Sequence, residues 1–248
     1  MMMRFWFVFI FMFLPAICWG QIIVKKTGGG AAFPLVSSHE TVIYYDARDY
    51  GVVEKTACLL AEDIKRVTDK KVSVSSKKVS SEYAVVVGTV GHNAFVDRLV
   101  AKGLLDVSAI RGGWEQLVVK TIDAPVKGVK KVLVIAGCDR RGTAYGVFTL
   151  SEAIGVSPLY WWADVPTKRK SQLYVEHINY VSQAPSVQYR GIFINDEGWG
   201  ITPWAGRTFD KELGDIGPKT YAKVCELILR MKGNMLAPAM HPSSGAFN

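Results

Sequence analysis

The chain has 248 residues, 49% of them hydrophobic and 21% charged, and carries a formal net charge of +8. That apolar share allows a substantial buried core in one or two domains. Its four histidines show no metal-ligand spacing, and Cys58, Cys138 and Cys225, the odd and widely spaced set beyond residue 20, make no disulfide framework.

Residues 1–20 read as a secretory signal peptide. Arg4 gives a positive start, Phe5 to Leu14 is a short apolar run, and Cys18-Trp19-Gly20 ends in a small residue. The expected product begins at Gln21, is secreted or periplasmic, and has no membrane contact after cleavage. Cys58, Cys138 and Cys225 remain, each within an apolar pattern, and are expected as small buried residues. Basic side chains fall in scattered pairs such as Lys70-Lys71, Lys77-Lys78 and Lys130-Lys131. They read as solvated surface rather than a nucleic-acid interface.

After a flexible Lys25–Gly30 lead, Thr41–Tyr45 is a strand candidate. Residues 54–67 carry helical spacing, with Ala57, Leu60, Ala61 and Ile64 on one face. Val72–Val74 and Tyr83–Val87 read as strands; the second is a continuous apolar run, as in a sheet covered on both faces. A helix near Asn93–Lys102, strands at Gln116–Ile122 and Lys131–Ala136, and a helix at Arg141–Ile154 complete an α/β domain over residues 21–182. Gly137–Thr143 half resembles a phosphate loop, but Thr143 stands where its lysine belongs. The segment reads as a structural turn with Asp139 at the helix start. Tyr160-Trp161-Trp162 fits a domain interface better than a sugar platform.

The pattern restarts after residues 182–186. Tyr189–Ile194 is a strand, Gly217-Pro218 opens a helix with stripe residues Tyr221, Val224, Cys225 and Ile228, and Gly233-Asn234 caps it. Met235–Met240 is a second strand. Strand, helix, strand is the unit of a parallel barrel or open sheet, whose ligands meet the carboxyl ends of the strands. Asn195, Asp196 and Glu197 follow the first strand directly. Neighbouring carboxyls in a partly buried site raise one pKa toward a general acid. Trp199 and Trp204 fit a sugar platform and a packing role equally. His241 follows the second strand and would face the same mouth. The long segment from Glu197 to Gly217 reads as a functional loop.

Three segments, DRRGTAYGVFTLSEAIGVSPLYWWADVP, YRGIFINDEGWGITPW and IGPKTYAKVCELILRMKGNMLAPAMHP, occur in this order. In them the chain resembles glycoside hydrolase family 115, the xylan α-1,2-glucuronidases. The resemblance implies an α/β domain followed by a (β/α)8 barrel. The implied activity is inverting removal of glucuronic acid or its 4-O-methyl ether from glucuronoxylan, without metal or cofactor. A homodimer is allowed for the full-length protein. By resemblance, Asp196 and Glu197 are the catalytic candidates. Asn195, Trp199, Trp204, Arg207 and His241 would bind substrate, Arg207 as a cation for the uronate. Residues 187–248 supply only the start of a barrel, which takes about 250 residues. A second carboxyl is therefore expected beyond Asn248, and the 248-residue piece alone is expected to be inactive. The alternatives are a hexosaminidase-like hydrolase and a non-catalytic carbohydrate-binding or vestigial protein.

Overall fold

The computed structural model describes residues 21–79, 81–195 and 200–238. The expected signal peptide, and Asp196, Glu197, Trp199 and His241, lie outside them.

The elements in chain order are β1 (Val24–Lys25), β2 (Phe33–Val36), β3 (Thr41–Tyr44), α1 (Gly51–Thr68), β4 (Ser73–Ser75), β5 (Tyr83–Thr89) and α2 (Ala94–Ala101). Then come β6 (Leu117–Asp123), β7 (Lys131–Gly137), α3 (Arg140–Ile154), β8 (Leu173–Val175), β9 (Asn179–Val181), β10 (Gly191–Phe193), α4 (Ile201–Thr208), α5 (Pro218–Arg230) and β11 (Met235–Ala237). The fold is mixed α/β. A six-stranded sheet has the order β4-β3-β5-β7-β6-β9. Its first four strands are parallel, whereas β6 and β9 run antiparallel to their neighbours.

β5 and β7 are apolar throughout because both faces are covered. Val85, Val87, Leu133 and Ile135 join α1 and α3 in one core. Their neighbours Ala84, Val86, Val132 and Val134 join α2 in the other. The alternation follows from the period-two side-chain pattern of a strand. Each fully buried Leu or Ile contributes about 1.5–3 kcal/mol by removal from water. Asn93 starts α2 by accepting from the N–H groups of Phe95 and Val96, and Asp139 starts α3 the same way through Arg141 and Gly142. Gly155 closes α3 with φ +109, a left-handed conformation that suits glycine. The 137–143 turn is thus structural, as the sequence suggests.

Several expectations need correction. The Lys25–Gly30 lead is tied down: β1 pairs with β8, and Lys131 donates to the carbonyls of Gly30 and Ala31 at 2.8 Å each. Lys131 is consequently buried rather than solvated, with Asp123 as its ion-pair partner. β2 carries Pro34 at the edge of the sheet β1-β8-β2, where a missing N–H is tolerated. Cys58 and Cys225 are exposed, not buried. On α5, Val224 and Ile228 are buried as expected, but Thr220 and Arg230 join them in place of Cys225, and Tyr221 is only half-buried. The left-handed residue after α5 is Lys232, φ +59, rather than Gly233.

Candidate active site

β10 and β11 form a parallel pair in the register Gly191–Met235, Ile192–Leu236 and Phe193–Ala237. Their carboxyl ends therefore lie on one side. The Ile194 N–H donates to the Ala237 carbonyl at 2.8 Å and extends the ladder by one rung. Gly191 permits the close approach, since a Cβ there would run into the Met235 carbonyl. α4 and α5 cover one face, where Ile194, Ala205, Ile216, Val224 and Ile228 are buried together. Phe193 is 62% and Met235 43% exposed. No closed barrel forms among the described residues.

Of the predicted site residues, Asn195 is described; it is exposed and follows directly on this ladder. The segment read as an irregular loop contains a helix, α4. Pro203 sits in its first turn, where the absent N–H has no helical partner to lose. α4 places Trp204 against Trp161 and Trp162, with ring centroids 5.9 and 5.8 Å apart. The Phe209 ring tilts against Trp161, with centroids 5.1 Å apart. Trp204 thus packs the loop onto the preceding segment, and it keeps 38% of its surface exposed. Arg207 lies exposed in the last turn of α4. The Trp162 indole N–H also donates to the Lys223 carbonyl at 3.3 Å, so the aromatic run is an interface, as expected.

The residues that hold the strand pair were not visible as such in the sequence. Arg190 and Asn234 immediately precede β10 and β11. Both reach the carboxylate of Glu115, whose side chain is fully buried. Arg141 Nε adds a bond of 2.6 Å. Burial pushes the Glu115 carboxyl up, but Arg190, Asn234 and Arg141 together hold it below the usual range. Asn234 Oδ1 accepts from the Arg190 N–H, and Arg190 Nε donates to the Lys232 carbonyl. Tyr145 on α3 donates its buried hydroxyl to the Gly233 carbonyl at 2.8 Å. Asp210 starts α5 by accepting from the N–H groups of Lys219 and Thr220 and from the Thr220 hydroxyl. A separate contact, which ties α5 to α1, had a readable sign: Asp63, the partner of Arg230, stands three residues after Leu60 and four before Val67, an acid in the apolar phase of α1.

Residues 182–248 match the model of glycosyl hydrolase family 115. A solved structure, described as a family GH115 4-O-methyl-α-glucuronidase with specificity for decorated arabinogalactans, is 34% identical over 84% of this chain, with a TM-score of 0.71. The chain belongs to glycosyl hydrolase family 115. All predicted site residues, Asn195 to His241, fall inside the segment matched to family 115. The chain spans 26% of that family 115 structure. The Streptomyces plicatus N-acetyl-β-hexosaminidase is 11% identical over 85% of this chain and 32% of its own, with a TM-score of 0.45. A GH20 β-N-acetylhexosaminidase from Streptomyces coelicolor A3(2) is 12% identical over the same shares, with a TM-score of 0.46. Likeness at that level carries no argument for the hexosaminidase alternative. No curated protein matches the chain.

Proposed function

We propose that the protein carrying this chain is a glycoside hydrolase that removes glucuronic acid, or its 4-O-methyl ether, from side chains of a plant polysaccharide. The observation that carries this reading is the 34% identity to a 4-O-methyl-α-glucuronidase over 84% of this chain. Glucuronoxylan with α-1,2-linked uronate is the expected substrate. A decorated arabinogalactan is the second, because the similar structure is described as acting on one. Inversion is the expected course. It needs one carboxyl to protonate the leaving oxygen and another to activate water, about 6.5–9.5 Å apart.

In this reading Asp196 orients water or substrate, His241 hydrogen-bonds the sugar, and Arg207 offers a cation to the uronate. Asn195, Glu197 and the tryptophans line the mouth. The remaining carboxyl is sought in the rest of the family fold, of whose solved structure this chain spans 26%. Residues 1–20 direct export, and mature protein sequenced from its amino end should begin at Gln21.

The test is incubation of the full-length protein with glucuronoxylan and with glucuronylated arabinogalactan, followed by chromatography of released uronic acids. Proton NMR of the first-formed anomer reports inversion or retention. Release from either polymer, abolished by Asp196→Asn, supports the reading. Release of N-acetylhexosamine instead would sink it.

A further inference from the structure

We propose that Glu115 is a positioning residue for the active site, a single buried carboxylate that sets where the carboxyl ends of β10 and β11 stand. The proposal rests on the reading of those ends as the site mouth. The two residues that enter the parallel strands, Arg190 and Asn234, both bond this carboxylate. They also bond each other through the Arg190 N–H and Asn234 Oδ1 at 3.0 Å, and through the Asn234 N–H and the Arg190 carbonyl at 2.7 Å. The amino ends of both strands therefore share one anchor.

Glu115 is itself fixed from the other side. Its N–H donates to Asp139 Oδ2 at 2.8 Å, and Asp139 is the residue that starts α3. Its φ is +56, a left-handed conformation that strains a non-glycine residue and persists only where surroundings over-determine it. Each strand is three residues long, so the mouth is only about 10 Å from the anchor at roughly 3.3 Å per residue. A displacement at Arg190 or Asn234 has no long element over which to dissipate before it reaches Ile194, Asn195 and Ala237. The buried Asp63–Arg230 pair is a natural comparison: it holds α5 to α1 and touches neither strand.

The experiment compares Glu115→Gln with Asp63→Asn in the full-length protein. It measures thermal stability, kcat and KM on the glucuronylated polymer, and hydrogen exchange of the Ile194 amide. Both variants should lower the melting temperature. Only Glu115→Gln should speed exchange at Ile194 and lower kcat, by roughly ten- to a hundredfold with KM little changed, as expected when reacting groups are misplaced. Equal Ile194 exchange in the two variants, or an equal loss of kcat, overturns the proposal. If Glu115→Gln does not fold, Asn234→Ala, which removes one link to the same carboxylate, is read in the same way. If the wild-type protein releases no uronate, the functional reading fails, and exchange at Ile194 alone decides whether Glu115 sets the strand ends.

Discussion

Arg230 of α5 forks onto Asp63 of α1, with Nη1 and Nη2 at 2.8 and 3.0 Å from the two carboxylate oxygens. Both side chains are buried, and Arg230 Nε also reaches Glu226 at 2.8 Å. Arg230 lies over the rings of Phe148 and Tyr160 at 4.7 and 4.8 Å. Removing Asp63 strips the buried guanidinium of its bidentate partner and leaves it the single bond to Glu226. Asp63→Ala is therefore expected to cost about 3–5 kcal/mol, while the double change Asp63→Leu with Arg230→Met costs markedly less. Urea unfolding of the three proteins checks this; a double variant as unstable as Asp63→Ala would refute it.

Acid should loosen the junction between the two parts of the chain. Glu115 and Glu226 are each pushed up by burial yet held below the usual carboxylate range overall. Arg190, Asn234 and Arg141 do this for Glu115, and Lys223 and Arg230 for Glu226. Asp210, against Thr220, behaves likewise. A carboxylate whose folded pKa lies below its unfolded one stabilises fully above the unfolded value, about 4, and loses that contribution as pH falls through the folded value. Urea midpoints should stay level from pH 7 to 5 and then drop. The Glu115→Gln variant should show a shallower drop.

Tyr145→Phe deletes a hydroxyl whose partner, the Gly233 carbonyl, sits in a buried contact. The stranded carbonyl should cost about 1–3 kcal/mol. Faster amide exchange in residues 233–237, with the α1 amides unchanged, is the expected signature.

Trp204→Ala removes two ring contacts, with Trp161 and Trp162. At about 0.5–1.5 kcal/mol per aromatic pair, the loss should be about 1–3 kcal/mol. Near-ultraviolet circular dichroism should lose intensity. Retention of the full wild-type spectrum would contradict the packing described for α4.

Cys58 and Cys225 should react with a disulfide reagent in the native protein, since both are exposed, and Cys138 should lag behind. Burial pushes all three thiols above the ordinary range, with Glu54 and Glu62 adding to the effect at Cys58. The thiolate is the nucleophile, so the rate should rise steeply between pH 7 and 9.

The elements readable from sequence were those with their own periodic or continuous pattern. β5 and β7 announce themselves as apolar runs, α1 and α3 by apolar spacing, and α5 by Pro218 at its start. The strands β1, β2, β8 and β9 are two to four residues long and gain their identity from partners far along the chain, as when Phe33 pairs with Val175. α4 was hidden by Pro203 and Gly206, which suggest a loop yet fit a helix whose first turn needs no proline N–H. At the candidate site, the placement of Asn195 beyond a strand end was legible. The anchors behind it were not, because Glu115 meets Arg190 across 75 positions and nothing local marks the pair.

The Asp63–Arg230 pair spans 167 positions, and that separation has a consequence for biogenesis. A ribosome delivers α1 long before α5, and domains tend to form in the order in which they emerge. Until α5 arrives, the face of α1 that carries Asp63 has no α5 packed against it. Arg230 then arrives at a docking place that the earlier helix already provides. The earlier part of the chain acts as an intramolecular chaperone for the later one. Detached from residues 21–182, the 187–238 segment should collapse or aggregate during synthesis, whereas the converse fragment should fold unaided.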